Sequence, residues 1–281
     1  MFLRPDKTVE QIYFYCLGEA AARFDVTLHA CTEMSNHHHI LVRDNHGNFP
    51  EFLAHLHKML AKAMNALHGR WENLWATEQP NAVYLVEASD RFAKLIYVLA
   101  NPVADHLVDR VSDWPGASSY SMNLSGRSIT VKRPRVFFRE KKSKMPEEVT
   151  LRFERPEGFE DLSDAEWQVK IRDGVRAEEE RARGERMLSG RGVLGRKAVL
   201  RANPTDTPKT VEPRRGLRPH VACLEEERRI AELNALVEFR MERQEALLRY
   251  VAGELDVVFP YGTYRIRGVF VTAPPPLAEA A

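Results

Sequence analysis

Cysteine is scarce in this 281-residue chain: Cys16, Cys31 and Cys223 are odd in number and far apart. That excludes a disulfide framework or the clustered thiols of a zinc knuckle, and it suits free thiols in a reducing compartment such as the cytoplasm. No apolar run reaches the roughly 18 residues of a membrane span, so no membrane partner is expected. The opening residues, MFLRPDKTVEQ, lack the basic start and apolar stretch of a secretory signal. There is no P-loop, no helicase-like segment, no internal repeat and no carboxylate cluster near the histidines. What is present is the composition of a folded protein, 44% hydrophobic and 29% charged. The length accommodates one catalytic domain and an extension of similar size.

The formal net charge of +1 hides local asymmetry. Arg127, Lys132, Arg133, Arg135, Arg139, Lys141, Lys142 and Lys144 stand against Glu140 alone. Arg191, Arg196, Lys197, Arg201, Lys209, Arg214, Arg215 and Arg218 stand against Asp206 and Glu212. Such segments suit a phosphate backbone, and equally suit solvated basic loops.

Apolar periodicity predicts an amphipathic helix over 7–24, and partial alternation predicts strands at 26–34 and 37–43 joined at Ser35-Asn36. A helix over 51–68 and a strand over 82–87 follow. The next helix starts at Ser89 or Asp90 and is expected to stop by Asn101, because Pro102 disfavours helical geometry in the residue before it. A short helix near 103–110 and the turn Trp114-Pro115-Gly116 close this part. The order helix, strand, strand, helix, strand, helix predicts an α+β fold: a ferredoxin-like, split βαβ antiparallel sheet with helices on one face. Its first strand is missing, since Met1 to Asp6 leaves little room for one. That points to a start upstream of Met1 or to a shortened sheet with an exposed edge beside the second strand.

The character changes after Ser125, so the expected division is 1–125 and a basic, largely helical extension over 126–281. Ser163 with Glu166 is a capping-box pattern opening a long helix to about 188. A short helix at Leu194–Arg201, a second long helix over 224–252 and a terminal hairpin over 255–271 complete the expectation. The tail from Ala273 should fray.

Two small constellations carry chemistry. On a strand, His37 and His39 project to one face and His38 to the other. Two imidazoles on one face can grip a divalent ion, although surface histidines make the same pattern. Tyr97 and Asn101 are four residues apart and share a helix face, as core or helix-stop residues also do.

MSNHHHILV (Met34–Val42) and YVLANPVADHLV (Tyr97–Val108), the latter followed by DWPGASSY (Asp113–Tyr120), together resemble the signature of the single-tyrosine HUH transposases. The similarity is greatest to the REP-associated tyrosine transposases of bacteria, and it covers roughly residues 1–125. The resemblance implies that His37 and His39, with Asn101 as third ligand, hold Mg²⁺ or Mn²⁺. It implies that Tyr97 attacks single-stranded or hairpin DNA to leave a 5′-phosphotyrosine and a free 3′-hydroxyl. DNA contacts are expected from Arg127, Lys132, Arg133, Arg135, Arg196, Lys197, Arg214 and Arg215. His38 is more polar than the usual residue between the two ligands, and Ser35 replaces a proline common in this turn. His29 and Glu33 could reach the site, with a structural role favoured for both. Arg91 and Lys94 could contact phosphate, with ordinary helix-surface charge slightly favoured.

The alternative reading is a non-catalytic DNA-binding relative, which would bind hairpin DNA regardless of His37 or Tyr97. A relaxase or replication initiator lacks its usual attached segments here. An unrelated metallohydrolase lacks its carboxylates. Monomer and homodimer both stay open.

Overall fold

The structure is a computed structural model that describes residues 3–76, 80–138, 143–206, 219–263 and 271–274. Among them it is a mixed α+β protein of seven α-helices and short two-stranded pairings.

Helix α1 (Lys7–Phe24) begins where the Asp6 carboxylate accepts hydrogen bonds from the Thr8 and Val9 amides, and it ends at Asp25 in a left-handed conformation. The sequence suggests one apolar face, but α1 is buried nearly all round from Val9 to Ala21. It lies between three neighbours: helix α2 (Phe49–His68), strand β1 (Val26–Glu33) and the antiparallel pair β4 (Ile129–Lys132) and β5 (Glu148–Leu151). The approach of β5 requires Gly18, because a Cβ there would lie 2.9 Å from Leu151 Cγ. Periodicity did not reveal β4 and β5. Each has four residues, and their alternating apolar side chains become meaningful only when both strands lie on α1.

Strands β1 and β2 (His38–Asp44) form the antiparallel hairpin, with a bulge between Leu28 and Ala30. Side chains at 38, 40 and 42 face α1 and α2, whereas those at 39 and 41 face helix α3 (Ala88–Ala104). The expectation of helices on one face is therefore corrected: this hairpin has helices on both, because both of its faces carry apolar side chains. Among the described residues β2 pairs only with β1. The other edge of β1 is closed by the DWPGASSY stretch and by Glu154: Ser119 donates to the Cys31 carbonyl, Ala117 accepts from the Glu33 amide, and Glu154 donates to the Leu28 carbonyl. Trp114 adds an indole hydrogen bond to the Glu33 carbonyl, 3.0 Å.

The strand expected over 82–87 shortens to β3 (Tyr84–Leu85), which pairs in parallel with β6 (Val221–Ala222). Pro102 does not stop α3; the helix runs on to Ala104. So near the end, the missing amide removes one hydrogen bond in the last turn and nothing beyond it. The short helix expected near 103–110 is a turn with His106 at φ 56°, followed by a 3-10 turn at Val111–Asp113. Helix α4 (Tyr120–Ser125) precedes β4.

Helix α5 (Asp164–Ser189) has the expected Ser163–Glu166 capping box and packs along the far side of α3. A second core forms there from Leu95, Leu99, Trp167, Ile171 and Val175. Buried cores thus run across position 125 on both faces of the hairpin. Helix α6 (Arg196–Arg201) is shorter than the sequence suggests and docks beside the turn after α3. Helix α7 (Glu226–Val251) follows. The expected terminal hairpin is corrected to a short parallel pair, β7 (Val258–Phe259) with β8 (Val271–Thr272). No described helix is long and apolar enough to cross a membrane.

Candidate active site

The hairpin brings the three histidines to two different places. His37 and His39 face α3. Their Nε2 atoms are 3.0 Å apart and their rings meet edge to face. His37 Nδ1 is 2.6 Å from the Asn36 side-chain oxygen. That oxygen can only accept, so Nδ1 is the donor of this hydrogen bond, and in the neutral ring Nε2 keeps its lone pair. Asn36, read from sequence only as a turn residue, therefore orients the first histidine. A carboxylate or amide behind a ligating imidazole does the same in metal sites.

Burial, then the neighbouring His37 and Lys94, lowers the His39 pKa to about 4. His39 is thus neutral at physiological pH, the form in which imidazole binds metal.

Tyr97 comes from α3. Its ring lies edge-on to His39 with centroids 5.3 Å apart, and it is 44% exposed, so a large substrate can reach the phenol. The Lys94 ammonium, one helical turn earlier, lies 4.3 Å from the Tyr97 ring centroid. Sequence reasoning slightly favoured plain surface charge for Lys94, because nothing in a helix pattern says that its neighbour is an aromatic nucleophile candidate. Arg91 instead donates to the Val86 carbonyl at the start of α3.

Asn101 lies one turn after Tyr97, inside α3, and is only 4% exposed. Its side-chain oxygen is buried without a hydrogen-bond partner. A buried orphan acceptor costs about 1–3 kcal/mol, so it signals a missing partner.

These features fit a divalent ion. Two cis ligands about 2.1 Å from an octahedral ion lie about 3.0 Å apart, the separation of the two Nε2 atoms. The Asn101 oxygen is a hard donor of the sort that Mg²⁺ and Mn²⁺ accept. Among the described residues no group of three or more His, Cys, Asp or Glu side chains is placed to hold a metal ion.

His38 points the other way. Its Nδ1 is 3.1 Å from the Tyr13 hydroxyl and its Nε2 is 2.9 Å from His57 Nε2. His57 stacks on Trp75, whose indole donates to the His57 carbonyl. Burial lowers the pKa of both histidines, to about 3 for His38, where the other histidines add to the effect, and to about 4 for His57. His38 is thus an anchor on the α1–α2 side. His57 gave no signal in the sequence, since a single histidine in a helix has no distinguishing spacing. Glu33 is opposite His38 in register and fully buried, with a carboxyl pKa raised by that burial. His29 is buried and paired with the Glu154 carbonyl.

The basic residues divide. Lys132 ends β4 and Arg127, Arg133 and Arg135 flank it, beside α1, and the Lys132 carbonyl accepts from Gln11 of α1. That is the side of the hairpin away from Tyr97. Arg133 is partly spent on the Met145 carbonyl. Arg196 and Lys197 are exposed on α6, on the α3 side, and Arg196 donates to the Asp113 carbonyl. Arg214 and Arg215 lie outside the described residues.

No family model, curated protein or solved structure matches the chain.

Proposed function

We propose that this protein cuts and rejoins single-stranded or hairpin DNA, in the manner of the single-tyrosine HUH transposases, with Tyr97 as the nucleophile and His37, His39 and Asn101 as ligands for Mg²⁺ or Mn²⁺. The observation that carries the reading is the convergence of two separate elements: the Nε2 atoms of His37 and His39 face each other at the start of β2 while Tyr97 of α3 rests on His39. A structural histidine pair would need no half-exposed tyrosine beside it, and a core tyrosine would not be half-exposed.

A bound divalent ion supplies Lewis-acid polarisation of the scissile phosphate. The rest is the work of the chain. The Asn36 side-chain oxygen orients the His37 ring, and burial keeps His39 neutral. The Tyr97 oxygen attacks phosphorus, the bond from phosphorus to O3′ breaks, and the phenolic proton ends on the released 3′-hydroxyl. The product is a phosphotyrosine ester at the 5′ end. A 3′-hydroxyl attacking that ester reverses the step, returns the proton to Tyr97 and joins strands without an energy-rich cofactor. Lys94 offsets negative charge as it develops on the phenol oxygen. Arg196 and Lys197, exposed on α6 beside the turn after α3, would meet the DNA backbone on the face of the hairpin that bears the tyrosine.

The test is incubation of the protein with hairpin DNA bearing single-stranded flanks, with and without Mn²⁺. A metal-dependent covalent protein–DNA species that disappears in Tyr97→Phe supports the reading. Hairpin binding that persists unchanged in His37→Ala and Tyr97→Phe, with no covalent species in the wild type, replaces it with non-catalytic DNA binding.

A further inference from the structure

Helix α7 has 26 residues, yet Ala246 is its only buried side chain. Its attachment is one-sided: Arg228 pairs with Glu87, and Tyr250 meets the ring of Phe259. On the opposite side Ile230, Leu233, Val237, Met241, Leu248 and Val251 are all exposed, Met241 by 67% and Val251 by 73%. At about 100° per residue these six fall within about 80° of arc, at intervals of three, four and seven residues. The gap of seven is filled by Gln244 on the same line. Along some 30 Å of helix, at 1.5 Å per residue, an apolar seam interrupted by Gln244 faces outward. A polar helix attached at one side needs no such seam.

The edges of the seam say what covers it. On one side run Glu227, Glu238 and Glu245, all exposed. On the other run Arg229 and Arg240. When two copies of such a helix pair in parallel about a two-fold axis, the acidic edge of each meets the basic edge of the other. An antiparallel pair would set acid against acid and base against base. We infer that α7 is a self-association helix and that its seam is covered by α7 of a second copy of this chain, running parallel. In that arrangement Arg240 of one copy lies against Glu245 of the other. Each Gln244 faces its own counterpart, a polar layer that fixes register. The inference does not depend on the DNA-cleavage reading.

The experiment is sedimentation velocity of the full chain over a concentration series. The mass is expected to double as concentration rises. The seam variant Val237→Glu/Leu248→Glu is expected to stay monomeric while its circular dichroism is unchanged, since both side chains are exposed. The edge variants Glu238→Arg/Glu245→Arg and Arg240→Glu are each expected to lose the dimer and to regain it when mixed. Leu248→Cys is expected to cross-link to its own copy under mild oxidant, a contact that antiparallel pairing would not allow. A wild type monomeric throughout overturns the inference, whether another protein or another part of this chain takes the seam. So does a dimer that survives the seam variant, or a dimer in which Leu248→Cys forms no cross-link.

Discussion

The rings of Tyr97 and His39 meet edge to face, 5.3 Å between centroids and 80° between planes, although one sits on a helix and the other on a distant hairpin strand. The packing of α3 across the β1–β2 hairpin makes that meeting, and the proposed chemistry depends on it. Tyr97→Phe keeps the ring and removes only the hydroxyl. It is expected to abolish the covalent DNA species while leaving thermal stability within about 0.5 kcal/mol, as for an exposed surface change. Gel analysis of the adduct and a melting curve check both halves.

Lys94→Met removes the ammonium over the Tyr97 ring and keeps most of the side-chain volume. An exposed cation–π contact is worth roughly 0.5–1 kcal/mol, which corresponds to a cleavage rate lower by about 2- to 5-fold. Single-turnover cleavage at saturating DNA reads this directly. An unchanged rate would make Lys94 a surface charge.

Asn101→Leu separates a structural role from a ligand role. Replacing an orphan buried acceptor with an apolar side chain of similar size should leave stability unchanged or raise it. Cleavage and Mn²⁺ binding, followed by titration calorimetry, should fall together. A large loss of stability would instead make Asn101 part of the core of α3.

Much of this was legible beforehand. The limits of α1 followed from the apolar periodicity over 7–24, and the hairpin followed from the alternation around Ser35-Asn36. The candidate site came from the resemblance of two motifs taken together, since the i, i+2 and i, i+4 spacings alone also fit surface histidines and core residues. Pro102 misled because its effect depends on how much helix lies beyond it. The parallel β7–β8 pair misled because a strand pattern does not encode its partner's direction. His57 and Asn36 were invisible for another reason: their roles exist only through partners supplied by other elements.

The buried histidines make stability depend on pH in a stated direction. His38, His39 and His57 have folded pKa values of about 3, 4 and 4, all below the ordinary value near 6.5. The unfolded chain therefore binds more protons between about pH 4 and 6.5, so their contribution is complete above 6.5 and is lost as pH falls toward 4. Glu33 acts oppositely. Its raised pKa gives a contribution present below about 4.5 and lost as pH rises through the folded value. Melting temperature should therefore fall on acidification from pH 7 to 5, and His57→Phe should flatten that fall. Glu33→Gln should raise the melting temperature at pH 8 relative to the wild type.

The most direct measurement is mass spectrometry of the protein after incubation with a hairpin DNA in Mn²⁺. The account predicts a peptide containing Tyr97 that carries a nucleotide through a 5′-phosphate, formed only with metal and absent from His39→Ala. Cleavage without any covalent species, or a nucleotide attached to a different residue, would contradict it.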